Sequence, residues 1–407
     1  MTTIKMADEQ EVQDMLQLCN LYFLPASTVQ SIMCPDLPEI PDDTETAFSL
    51  VQNYQQQLME HSFVMSGSTR QSHPKQQGFS QHLEEKDNLD FFRNLRVTKD
   101  TFQQILTIVE NYKPISDKGT PPVSAKECLQ MGLWFLGNKA TYREMAELFG
   151  LSESTVFSSV QLFINIICNV GYNYIKWPTM TEAKENSTKF KFMAGFPGVV
   201  GALDGCHIQI KAPTEAQADY INRTNRHSVN LMAVCNSELL FTFIDVGFPG
   251  SAHDSRVFKN TELYSVMSNS PLNIFPSINY HIIGDSAFQR SDHLLTPFRD
   301  TGRLTQQQKN FNRKLSQTRH VIENAFGYLK GRFRRLKYVD ADIDRIPKII
   351  KAACILHNIT LQNPEEESIL IRDGIEIDPE DHHDVAAEIN LPDIGGMEKS
   401  NFIAMQL

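Results

Sequence analysis

Residues 198–212, GVVGALDGCHIQIKA, decide the fold. The run is rich in apolar and β-branched residues and reads as a strand, yet it carries a carboxylate, Asp204, among Val, Ala, Leu and Ile. An acid in such company is protonated, hydrogen-bonded, paired with a cation or bound to a metal, since bare ionised burial costs several kcal/mol. Downstream, residues 227–236 (HSVNLMAVCN) and 239–248 (LLFTFIDVGF) are further strand-like runs, and residues 251–264 (SAHDSRVFKNTELY) read as helix. Residues 279–288 (NYHIIGDSAF) end as a fourth strand. Residues 319–337 then place Ile322, Phe326, Leu329, Phe333 and Leu336 along one helical face, and residues 346–361 (IPKIIKAACILHNITL) close with another helix. Three consecutive strands, a helix, a strand and more helices specify an α/β sheet flanked by helices.

Upstream the pattern is helical. From Asp90 onward, Phe102, Ile105, Leu106 and Val109 repeat at helical spacing, and the region runs to about Tyr174. Within it, a helix from Thr141 to Phe149 is stopped by Gly150, and Ser152 can cap a second helix with Glu153 in its first turn. That is helix-turn-helix spacing, although the second helix offers Ser154, Ser158, Ser159 and Gln161 rather than Arg or Lys. The expected organisation is a largely disordered acidic, Gln/Ser-rich region over 1–89, a helical region with the helix-turn-helix over 90–180, an α/β domain over 197–360, and an acidic disordered tail over 363–407.

Net charge is −11, but it is unevenly spread. Residues 1–90 carry 4 Lys/Arg against 14 Asp/Glu and residues 363–407 carry 2 against 12, leaving 32 basic against 23 acidic residues in 91–362. A basic centre between acidic ends suits a polyanion-binding core. The start, MTTIKMADEQEVQ, has no apolar secretory segment, and the densest apolar run, around Met131 to Leu136, is far below the roughly 20 residues a bilayer needs. Neither export nor a membrane is expected. Seven scattered cysteines without C-x-x-C spacing suggest neither a disulfide framework nor a zinc knuckle, and point to a reducing compartment.

Three more acids stand in apolar surroundings: Asp254 in GSAHDSR, Asp285 in HIIGDSAF and Glu323 in VIENAFG. A shared metal satisfies several such groups at once. Phosphodiester cleavage calls for hard divalent ions held by oxygen ligands, which explains acids rather than His or Cys.

Five separated motifs carry a resemblance. GALDGCHIQIKAP, DYINRTNRHSVNLMAVCN, VGFPGSAHDSRVF, IIGDSAFQRSDHLLTPFRD and FNRKLSQTRHVIENAFGYLKGRFRRLK, in this order, resemble the PIF/Harbinger transposases and the nucleases descended from them, over roughly residues 90 to 360. The resemblance implies an RNase H-like DDE fold and a divalent-metal-dependent nuclease acting on DNA phosphodiester bonds, with Asp204, Asp285 and Glu323 catalytic. Metal ligands, for Mg²⁺ or Mn²⁺, are expected from Asp204, Asp254, Asp285 and Glu323. The second acid can be placed on Asp254, 254 − 204 = 50 positions after the first, or on Asp285, 323 − 285 = 38 positions before Glu323. Both are retained as ligands. The resemblance further implies DNA as partner, a nuclear location with a cytoplasmic pool admitted, and a separate Myb-like accessory protein; a homo-oligomer is also admitted. The competing expectation is a domesticated descendant that binds DNA or chromatin without cutting it.

Positive charge near the acids supplies candidate DNA contacts: Arg223 and Arg226 between the first two strands, and Lys330, Arg332, Arg334 and Arg335 beyond Glu323. A solvated basic face is the bland alternative for the second group. Ser286 in G-D-S-A-F lacks the closing glycine of a nucleophile elbow, which argues against a serine hydrolase.

Overall fold

The computed structural model describes residues 77–114, 123–366 and 395–407. Every described residue lies in one compact unit, Lys75–Leu407. The disorder expected of residues 1–76 and 367–394 falls outside the described residues.

The helical region begins earlier than its periodicity suggests. Helices α1 (Phe79–Glu85) and α2 (Asn88–Leu95) lie partly in the stretch expected to be disordered. That expectation is corrected for residues 79–89. Two tertiary contacts order α1: Leu83 is fully buried, and the Phe79 ring stands edge-on to Trp134 and Phe149, at 5.3 and 5.1 Å. Six helices follow: α3 (Lys99–Tyr112), α4 (Ala125–Gly137), α5 (Tyr142–Phe149), α6 (Glu153–Asn169), α7 (Gly171–Tyr174) and α8 (Met180–Ala194). Their starts are set by local chemistry. Ser124, Thr141 and Thr179 each accept from the backbone N–H three residues on, where a glutamate reaches back, so two otherwise orphaned donors are satisfied per helix start. Gly150 ends α5 in the left-handed conformation that glycine adopts without strain, and Ser152 caps α6.

The segment Glu153–Asn173 has a mean hydropathy of 1.3 and is long and apolar enough to cross a membrane by length and composition alone. Here Val156, Val160, Phe163, Ile164 and Ile167 are buried, and α6 packs against α4. Ser159 faces this core, while Ser154 and Ser158 are exposed.

Five strands form one mixed sheet: β1 (Val199–Gln209), β2 (Ser228–Cys235), β3 (Phe241–Pro249), β4 (His281–Ile283) and β5 (Leu294–Leu295), in the order β3-β2-β1-β4-β5. The β1–β2 and β2–β3 pairs are antiparallel, and β1–β4 and β4–β5 are parallel. Helices α9 (Asp254–Lys259) and α10 (Glu262–Asn269) follow β3. The 27-residue α11 (Gln306–Arg332) and then α12 (Ile346–Thr360) follow β5. Alternation along the strands splits the core in two. Ala202, Cys206, Leu231 and Ala233 pack with α11 and α12, whereas Leu203, Met232 and Val234 pack with Val257, Phe258 and Leu263 on the opposite face.

Residues 395–407 correct the expectation of a disordered tail through to the C-terminus. They form α13 (Met397–Gln406), with Ser400, Ile403 and Ala404 buried. Lys399 Nζ donates to the carbonyls of Ile278 and Asp292 at 2.6 and 2.8 Å, and Asn310 Nδ2 donates to Leu407 O at 2.8 Å. A helix this short is marginal alone, so its order comes from docking, which the tail's acidic composition does not reveal.

Buried neutral histidines couple the fold to pH. His357, fully buried with Nε2 donating to Leu239 O at 3.0 Å, is pushed by burial from 6.5 down to about 4, and burial lowers His281 as well. Between these values the unfolded chain binds a proton that the folded His357 refuses. Stability is therefore complete above about pH 6.5 and lost as pH falls below it, at up to about 1.4 kcal/mol per unit per histidine. Between about pH 7 and pH 5, the stability of wild type measured by urea unfolding should fall relative to that of His357→Gln, whose amide can still donate to Leu239, because the variant lacks this titration.

Candidate active site

Asp204 lies within β1 rather than at its end, because the strand stays paired with β2 as far as Gln209. Its side chain leaves the strand on the same face as Ala202 and Cys206, the face that α11 covers. In the parallel ladder Ala202 is level with Ile283, so two residues further along each chain Asp204 comes beside Asp285. Asp285 is held by the turn after β4, where its Oδ1 accepts from Ala287 N at 2.9 Å. Glu323 comes down from α11, and His320 Nδ1 lies 2.7 Å from its Oε2.

One side chain that the sequence reading did not single out joins these acids. Arg319 Nη1 donates to Asp204 Oδ2 at 2.5 Å, and Nη2 donates to Glu323 Oε1. The spacing offered a signal, since residues four apart on a helix share a face, and Arg319 precedes Glu323 by one turn. Burial pushes the Asp204 carboxyl up to about 8; Arg319 opposes the shift, and the charges of Asp285 and Asp254 add to it. Burial likewise raises Asp285, against Arg319 and the Ala287 N–H. Burial disfavours the charge on Arg319, but Asp204, Glu323 and Asp285 more than offset this and hold it above its ordinary range.

Asp254 approaches from the other side of β1. Gly205 points opposite to Asp204, and a Cβ placed there would lie 2.6 Å from Asp254 Oδ1, so the missing side chain makes room for the acid. Buried Asn230 of β2 donates from Nδ2 to the same oxygen at 2.7 Å. Asp254 opens α9, and its neighbour His253 caps that helix through Nδ1, which accepts from Ser255 N at 3.3 Å. Gly205→Ala should therefore displace a short, pinned side chain and cost about 1–3 kcal/mol, as overpacking of a filled site does. Denaturant unfolding checks this.

In its chemistry the set of Asp204, Asp285 and Glu323 fits a hard divalent cation: three half-buried carboxylates whose mutual repulsion a cation would relieve. Its geometry is set around the Arg319 guanidinium. Among the described residues no three His, Cys, Asp or Glu side chains are grouped so as to hold a metal.

The basic residues divide sharply. Arg223 and Arg226 are exposed, and Arg223 lines a cleft of about 210 Å³ together with His207, Asn222, Ser251, His253 and Asp254. Arg334 is exposed as well. For Lys330, Arg332 and Arg335 the expectation of DNA contact is corrected, because all three are buried and bonded within the protein itself. Lys330 Nζ donates to His207 O at 3.0 Å, Arg332 pairs with Glu366, and Arg335 donates to Phe135 O at 3.1 Å while stacking on the Phe135 ring. The packing of the end of α11 and of the turn after it, where Phe333 and Leu336 are buried, brings these cations inward, so they brace the helical layer against the sheet.

Residues 203–358 match the family described as the DDE superfamily endonucleases, and residues 71–169 match a domain of unknown function. This part of the chain is thus a DDE endonuclease-type domain on a five-stranded mixed sheet flanked by helices. The chain is 28% identical over 309 residues to "Protein ALP1-like" of Arabidopsis thaliana, covering 71% of this chain and 75% of that protein. It is 30% identical over 247 residues to "Putative nuclease HARBI1" of Rattus norvegicus (59% and 68%), and 28% identical over 247 residues to the Homo sapiens protein of that name (59% and 68%). The chain belongs to the Harbinger transposase-derived nuclease family. No solved structure matches it.

Proposed function

We propose that this chain is a divalent-metal-dependent nuclease with an RNase H-like catalytic domain that cuts DNA phosphodiester bonds. The observation that carries the reading is that Asp204 of β1 and Glu323 of the crossing α11 meet on one guanidinium, with Asp285, in the turn after the adjacent parallel strand β4, beside Asp204. The strand order β3-β2-β1-β4-β5 supports the RNase H-like assignment.

Asp204, Asp285 and Glu323 would hold Mg²⁺ or Mn²⁺, with Asp254 as a supporting fourth acid behind Gly205. Bound metal supplies an activated water or 3′-hydroxyl and charge neutralisation at the leaving oxygen. The chain's own residues fix the geometry: Asn230 holds Asp254, the Ala287 N–H holds Asp285, and His320 orients Glu323. Arg223, on the rim of the cleft beside Asp254, is placed to take a backbone phosphate, with exposed Arg226 and Arg334 as further contacts. The α5–α6 pair supplies a second DNA contact through the exposed start of α6, where Arg143 and Glu153 pair at 3.3 Å across the two helices.

The test is nicking of supercoiled plasmid. The wild-type chain should nick with Mg²⁺ or Mn²⁺ and stop on chelation. Salt-dependent DNA binding without nicking under either metal selects the non-catalytic DNA-binding descendant instead.

A further inference from the structure

The Arg319 guanidinium bridges two elements that also pack through their apolar residues, β1 through Asp204 and α11 through Glu323. It spends both arms of its fork on oxygens from two of the acids a metal would need, and the charge of Asp285 acts on it as well. Lone pairs directed at a guanidinium are not available to a cation in the same place, and two cations there would repel each other. The side chain keeps 19% of its surface exposed, so it borders solvent as well as the acids.

We propose that Arg319 is a displaceable resident cation: it keeps the acidic cluster assembled when no metal is bound, and it must leave the cluster for a divalent ion to load. Arg319 and the metal therefore compete for the same carboxylate oxygens, and metal affinity is set partly by the release of Arg319. A residue that simply positioned the ligands would act with the opposite sign, since its loss would weaken metal binding. The inference rests on the nuclease reading, because it assumes that these acids take a metal at all.

The sign is measurable on the full chain without reference to activity. Mn²⁺ is titrated calorimetrically into the wild type, Arg319→Gln, Arg319→Lys and Asp204→Asn, and thermal unfolding is recorded with and without Mn²⁺. Arg319→Gln should bind Mn²⁺ about tenfold more tightly than wild type, because two charge-assisted hydrogen bonds no longer have to be broken. Its metal-free melting temperature should fall below that of wild type, and Mn²⁺ should raise it by more. Arg319→Lys, which cannot fork between two carboxylates, should fall between the two, and it carries the comparison if Arg319→Gln does not fold without metal. Mn²⁺ binding that Asp204→Asn abolishes but Arg319→Gln leaves equal or weaker overturns the inference and spares the nuclease reading. Absence of Mn²⁺ binding in every form overturns both.

Discussion

Glu366→Ala is expected to destabilise the chain by about 3–5 kcal/mol, the cost of leaving one member of a buried ion pair without its partner. Arg332 and Glu366 are 1% and 0% exposed, and their side chains are bonded to each other. Glu366 also accepts from Thr98 N at 2.6 Å, and Arg332 Nη1 donates to Arg96 O at 2.7 Å. Removing the carboxylate would strand a buried guanidinium and a buried backbone N–H at the start of α3. The cluster ties the end of α11 and the segment after α12 to the helical region. Urea unfolding followed by helix signal should therefore show one transition at lower midpoint. A separate early transition of the helical region in this variant would show that the cluster is the main link between the two regions, and an unchanged midpoint would overturn the prediction. Arg332→Met together with Glu366→Leu should recover much of the loss, since a well-packed apolar pair avoids the desolvation of two charges.

The second large effect is on chemistry. Asp204→Asn and Glu323→Gln should each lower metal-dependent nicking by about 10³-fold, the upper end of what one preorganised electrostatic contact supplies. Asp204→Asn should do so with the cooperative fold retained, since the amide oxygen of a side chain of the same shape can still accept from Arg319 Nη1. Loss of nicking with stability retained marks Asp204 as held for function. Loss of both together would make it a structural residue. Asp254 should behave differently. Its oxygen is fixed by Asn230 behind Gly205, so Asp254→Asn is expected to reduce nicking less than either substitution above, the pattern of a supporting group.

The sequence was most informative where periodicity and caps are local. β1, β2 and β3 follow from runs of apolar and β-branched residues, and α5 and α6 from Gly150 and Ser152. β5, two residues long, left no periodic signal, and α13 was hidden inside an acidic stretch. Both are ordered by neighbours distant in sequence: β5 by its parallel pairing with β4, and α13 by carbonyls at 278 and 292. The basic run after Glu323 misled for a related reason. A row of Lys and Arg looks the same whether it faces water or the interior, and only the packing of the end of α11 and the turn after it shows that Lys330, Arg332 and Arg335 turn inward while Arg334 turns out.

The order of apolar runs, the four acids stranded among them and the turn residues between them were determined by sequence alone, because the cost of burying an unpaired charge and the backbone preferences of glycine and the capping residues act over a few neighbours. What stands at the centre of the acids was decided only by tertiary structure. Arg319 meets Asp204 across 115 positions of chain, and Asp254 meets β1 through the space left by Gly205. Such meetings depend on how a helix crosses a sheet, and no local pattern records that angle.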